Sequence, residues 1–83
     1  MAVIDDVKQV LGETLQLGER AQGFTAETPL FGAIPEFDSM AVVTVVTALE
    51  ERFGIFVEDD EIEAETFETV GNLAAFVDQK LAA

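Results

Sequence analysis

Few residues of this 83-residue sequence are equipped for chemistry, and the most informative is Ser39 in Asp38-Ser39-Met40, where a Pro/Gly-containing stretch gives way to a helical run. Asp and Ser are both effective N-caps, and the first turn of a helix leaves four backbone N–H groups free while the macrodipole makes that end positive. A phosphate ester on the hydroxyl would be stabilised there. The rest of the inventory excludes more than it offers. There is no His and no Cys, which removes the commonest general base and metal ligand, the thiol nucleophile, the thiolate zinc site and the disulfide framework. A serine hydrolase needs a base and an oxyanion hole, and the only lysines, Lys8 and Lys80, lie near the ends; that chemistry is unsupported. The acidic run Glu58, Asp59, Asp60, Glu61, Glu63, Glu65 could attract a hard cation. It lacks the alternating Asp/Asn ligands and central Gly of an EF-hand loop, so it reads as a solvated acidic face. Without context, Ser39 is an N-cap, and Asp38 is another, accepting from the backbone N–H of Met40 or Ala41.

The elements that must position Ser39 follow from periodicity. Ile4, Val7, Leu11 and Leu15 recur three or four apart between about Val3 and Leu17, an amphipathic helix with Gly18 as its C-cap. From there to Asp38 the chain holds Gly23, Gly32, Thr28-Pro29 and Ile34-Pro35, which argue for a long structured loop. Phe24, Leu30, Phe31, Ile34 and Phe37 are its expected pins, with Leu30 and Ile34 buried. The run from Ser39 to Phe53 is rich in β-branched residues and reads as a strand by propensity. Its spacing of Met40, Val43, Val46, Leu49 and Phe53, bounded by an N-cap and Gly54, instead predicts a helix. Ile55 and Val57 suggest a short extended piece, followed by a short or irregular helix anchored by Ile62 and Phe67. The last segment opens on Thr69 as N-cap, sets Val70, Leu73, Val77 and Leu81 on one stripe beside Ala74, and carries Lys80 in its final turn, a helix to the end of the chain. With no repeat or linker, the expectation is one all-α domain over residues 1–83, a small four-helix bundle with a long loop between helices 1 and 2 and a short third helix.

Composition bounds the company this domain keeps. Hydrophobic residues make up 49% of the chain, which excludes a disordered acidic tail, while a core this small stabilises the chain only narrowly. Seventeen acidic residues against four basic ones give a formal net charge of −13. That repels nucleic acid and anionic membrane and favours partners with basic surfaces. No apolar run approaches the ~20 residues needed to span a bilayer, and the start Met1-Ala2-Val3-Ile4-Asp5-Asp6 lacks a basic leader. A soluble cytoplasmic protein, monomeric by default, is expected.

The chain resembles the acyl carrier protein family, in which a Ser within Asp-Ser-Leu carries 4'-phosphopantetheine; Met40 stands here in the Leu position. The resemblance extends to Leu30-Phe31-Gly32 before the site, Ala48-Leu49-Glu50-Glu51-Arg52-Phe53-Gly54 after it, and Phe67-Glu68-Thr69-Val70-Gly71-Asn72-Leu73 near the end. It implies covalent phosphopantetheine on Ser39, with Asp38 in the motif read by a phosphopantetheinyl transferase and Met40 a semi-exposed apolar contact beside the tether. The bundle would then shelter a short acyl chain between the second helix and the last. If Val43, Val46 and Phe53 face inward, Ala41, Thr44, Ala48 and Glu51 lie on the outward face of the second helix, with Thr47 and Glu50 at its margins. In the family this face docks acyl-transferring and acyl-modifying enzymes. Relatives commonly carry acidic residues along its first turns, whereas Ala41 and Thr44 are neutral, which points to docking by apolar contact. Phe56 departs from the family as well: it stands where relatives are usually polar, either as an exposed partner anchor or folded back onto the loop around Phe37.

These features predict a non-catalytic carrier of acyl intermediates for fatty acid, polyketide or related specialised biosynthesis. Aminoacyl cargo stays open at this stage, as does an acidic scaffold that keeps the carrier fold without the prosthetic group. The intact Asp38-Ser39 pair argues against the scaffold.

Overall fold

The computed structural model describes residues 3–35 and 37–82. The readings that rest on Met1 and Ala2, and the expectation that the last helix runs to the end of the chain at Ala83, lie outside them. Among the described residues three α-helices carry the fold: α1 (Val3–Thr14), α2 (Ser39–Phe53) and α3 (Val70–Ala82). Three shorter 3-10 segments join them, Gly18–Gly23 after α1, then Asp59–Glu61 and Glu65–Phe67 between α2 and α3. The short third helix of the expected bundle is thus realised as two single turns around Ile62, which is half-buried, and Phe67, which is buried. Among the described residues there is no strand, only an isolated bridge between Pro29 and Thr69.

α1 stops earlier than its periodicity suggests. Gln16 takes the left-handed position that ends the helix, at φ 57°, with Gly18 following in the same region at φ 59°, and the Leu17 N–H returns to the Gly12 carbonyl at 2.9 Å, the 6→1 bond of a Schellman ending. Both Leu15 and Leu17 are thereby buried, an apolar gain that offsets a non-Gly residue in that conformation.

The long loop is pinned as expected at Leu30, Ile34 and Phe37, all buried, whereas Phe31 is 48% exposed and meets only the edge of Phe37, ring centroids 6.2 Å apart. Its backbone is tied to the start of α3. Leu30 and Phe31 donate to Glu68 and Phe67 carbonyls at 2.9 and 3.1 Å, and Val70 and Gly71 donate back to Thr28 and Ala26 at 3.0 and 2.8 Å. The loop therefore arrives at α2 already fixed.

α2 is a helix despite its β-branched run; the hydroxyls of its two threonines, Thr44 and Thr47, donate to the Met40 and Val43 carbonyls at 3.2 and 3.1 Å and so stay within the helix. Gly54 closes it in the left-handed region at φ 66°. The buried stripe is Ala41, Val45, Val46 and Leu49, so the expected phase is corrected: Val43 points outward, 61% exposed. The apolar residues from Met40 to Val46 crowd so closely that two phases fit, and Val46 and Leu49 satisfy both. α3 starts as expected, the Asn72 N–H donating to Thr69 Oγ1 at 3.0 Å. Val70, Leu73, Ala74 and Val77 are buried, while Leu81 is 45% exposed because the last turn passes beyond the core. α1 packs on both α2 and α3, which sets the Ser39 end of α2 at the surface.

Candidate functional site

Asp38 adopts extended backbone, φ −102° and ψ −173°, and its Oδ1 accepts the Ala41 N–H at 2.9 Å. Its carbonyl accepts the Val42 N–H at 3.0 Å. Ser39 is therefore the first residue inside the helix. The N–H groups of Ser39 and Met40, one turn from any intrahelical acceptor, are left facing outward along the helix axis. The Ser39 side chain is exposed, and its hydroxyl makes no hydrogen bond within the described residues. It is not the cap; Asp38 is, which frees the hydroxyl for other use.

The ground around the hydroxyl is apolar. Met40 is 77% exposed and Val43 61%. A groove of about 300 Å³ opens beside them, lined by Ser39 itself, Phe31, Val42, Val43, Ile62, Glu63, Ala64 and Phe67. It lies between the start of α2 and the two 3-10 turns, and no α3 residue lines it. A larger cleft, about 810 Å³ between α1 and the first 3-10 segment, shares none of these residues, so size does not mark the site.

A phosphodiester fits at Ser39. The oxygen is exposed and uncommitted, two N–H donors and the positive helix end lie next to it, and the carboxylate of the preceding Asp38 is engaged with Ala41. Among the described residues no acidic or His cluster could hold a metal ion.

The expected docking residues divide. Thr44 and Glu51 are exposed on the outward face of α2. Ala41 is buried, 9% exposed; as the residue whose N–H the cap holds, it turns inward and cannot belong to that face. Ala48 is half-buried and lines the crevice between α1 and α2 with Glu13, Thr14 and Arg52. Glu50 is half-buried, and its carboxylate accepts the Val57 N–H at 2.9 Å, a bond within the molecule. Phe56 is 70% exposed, which settles it as outward rather than folded onto Phe37. Val43 was missed as a surface residue, and the near-continuous apolar run around it held no signal that would have found it.

A small helical domain that presents one unencumbered serine at a helix start is built to carry a group rather than to transform one. The family defined by a phosphopantetheine attachment site matches residues 5–77. The acyl carrier protein of Wolinella succinogenes is 37% identical over 79 residues, covering 94% of this chain and 96% of that protein. That of a Sulfurovum species is 38% identical over 78 residues, covering 94% and 97%. The solution structure of a holo acyl carrier protein from Nitrosomonas europaea superimposes with a TM-score of 0.93 at 55% identity over the whole of both chains. The chain belongs to the acyl carrier protein family of phosphopantetheine-binding proteins. Its function is that of the family: it carries acyl groups as thioesters on 4'-phosphopantetheine in fatty acid or polyketide biosynthesis and is not itself an enzyme. Phosphopantetheinyl transferases and acyl-processing enzymes are the family's general partners. No helix among the described residues is long and apolar enough to cross a membrane.

Proposed function

We propose that Ser39 is the attachment residue and that residues 1–83 form one carrier domain, working as a monomeric cytoplasmic shuttle. The observation that carries this reading is the uncommitted, exposed Ser39 hydroxyl at the first position of α2, beside two free N–H donors. On attachment, Ser39 Oγ would form a P–O bond to the pantetheine-side phosphorus of coenzyme A as the pyrophosphate P–O bond breaks, its proton leaving to a base of the transferase and adenosine bisphosphate departing. When bound, the group supplies the thiol that this chain lacks and with it thioester chemistry.

The chain's own residues do the positioning. Asp38 holds the helix start in register, the N–H groups of Ser39 and Met40 face the phosphodiester anion, and Met40, Val43 and Phe31 give the arm apolar ground. The groove, about 300 Å³, stands at the lower end of small-ligand pockets, ~300–1,000 Å³, a size that suits a short acyl chain. The exposed face of α2 formed by Met40, Val43, Thr44 and Glu51 receives partner enzymes. Its first turn carries no acidic side chain, so contact there is apolar, while the overall charge of −13 steers basic surfaces toward the molecule from a distance.

Peptide mapping after incubation with coenzyme A and a transferase tests the assignment. Phosphopantetheine on the peptide containing Asp38-Ser39-Met40 is the expected result. Recovery on a different peptide would move the site.

A further inference from the structure

Phe56 is the most exposed aromatic ring among the described residues, at 70%. Exposure of one ring decides little by itself; its bracing and its surroundings decide more. Ile55 is half-buried and Val57 buried on either side of it, so alternation along this extended piece sends Phe56 and Glu58 outward together. The backbone is held from both ends. The Gly54 N–H returns to the Glu50 carbonyl, Ile55 donates to the same carbonyl at 3.2 Å, the Glu50 carboxylate accepts the Val57 N–H at 2.9 Å, and Glu58 donates to Glu61 at 3.0 Å. Turning the ring inward would break these bonds and draw Val57 out of the core. The ring is thus presented in a fixed position, which lowers the ordering cost of binding.

Its border is acidic. Glu58, Asp59 and Asp60 follow it and are exposed, and Arg52, the cation nearest in sequence, reaches away to Asp6 at 3.2 Å and Gln9 at 2.7 Å on α1. A second copy of the chain would bring the same acid against itself at a net charge of −13 per chain, which disfavours self-association through this patch. An apolar pocket rimmed by Arg or Lys is the complement.

We propose that Phe56, with Glu58, Asp59 and Asp60, is a second docking site whose partner is an acyl-processing enzyme presenting such a pocket; the proposal rests on the carrier reading above. α2 has 15 residues, so its far end, which Phe56 follows by three residues, lies about 20 Å from Ser39 at 1.5 Å per residue. A partner anchored there leaves the hydroxyl end uncovered. The anchor selects the enzyme whatever cargo is attached, while the apolar ground beside Ser39 meets its active-site entrance.

The test uses the full-length holo chain, acylated, and a purified condensing enzyme chosen because it turns over the wild type. Phe56→Ser should raise KM about tenfold or more with kcat held within about twofold, and Phe56→Leu should recover most of the loss. The triple change E58Q/D59N/D60N leaves the ring intact and should raise KM at low salt while removing most of its salt dependence. KM within about twofold of wild type for Phe56→Ser overturns the proposal, as does a triple variant whose salt dependence matches wild type. If the wild type takes up no phosphopantetheine, the carrier reading fails and this proposal with it; uptake with unchanged KM defeats this proposal alone.

Discussion

Asp38 Oδ1 holds the Ala41 N–H at 2.9 Å, and this one bond sets the first residue of α2, turns Ala41 into the core and leaves the Ser39 hydroxyl with nothing to cap. Asp38→Ala should cost about 1 kcal/mol, within ~0.5–2, in urea unfolding. Asp38→Asn caps nearly as well and should retain most of that stability. If the transferase also reads the carboxylate, Asn at this position slows modification while the unfolding midpoint stays close to wild type, which separates the two roles.

The face of α2 can be tested residue by residue. Ala41→Lys forces a charge into a buried position and should destabilise by about 2 kcal/mol or more. Thr44→Lys lies on the surface and should change stability by no more than about 0.5 kcal/mol while weakening turnover by partner enzymes. Equal thermal shifts in the two variants would contradict the phase of the helix.

Gly71 sets two effects against each other. Ala is the better helix former by roughly 1 kcal/mol, yet a Cβ at this position would lie 2.7 Å from the Ala26 carbonyl oxygen and 3.0 Å from its Cβ. That same oxygen accepts the Gly71 N–H at 2.8 Å, so it cannot move aside without loosening the loop that leads to Ser39. The clash should win, and Gly71→Ala should lose about 1–3 kcal/mol by chemical denaturation.

Lys80 in the last turn of α3 donates to both oxygens of Glu61, at 2.8 and 3.0 Å, and ties the 3-10 turn that precedes Ile62 to the bundle. The Glu61 carboxyl is held below its ordinary value of 4.5 first by the Glu58 N–H and then by Lys80, against some desolvation. A carboxyl depressed in the folded state contributes stability that is present above the unfolded value and lost as pH falls through the folded one. Wild type should therefore melt above Lys80→Met at neutral pH, with the gap closing as pH drops below 4.5. A gap that is constant down to strong acid would rule out the linkage.

The existence of each helix was legible because periodicity and caps agree: Asp38 before α2, Gly54 after it, Thr69 before α3. The exposed Ser39 at the start of α2 was legible for the same reason, since Asp-Ser at a loop-to-helix junction is a local signal. What was not legible depended on tertiary competition. The phase of α2 is ambiguous within an apolar run from Met40 to Val46, and only packing against α1 and α3 draws Val45 inward and sends Val43 out. The early end of α1 arises because burying Leu15 and Leu17 together outweighs the preference for Gly at the left-handed position, a balance of long-range contacts against local propensity. Glu50 was read as surface charge because nothing near it in sequence reveals that its carboxylate meets Val57 seven residues on.

The most direct measurement is the intact mass of the chain before and after incubation with coenzyme A and a broad-specificity phosphopantetheinyl transferase, with Ser39→Ala beside it and its helix content checked by circular dichroism. Addition of one phosphopantetheine to the wild type, and none to a fully helical Ser39→Ala, is the predicted result. Addition to the Ser39→Ala variant, or none to a folded wild type not already modified, would contradict Ser39 as the point of attachment.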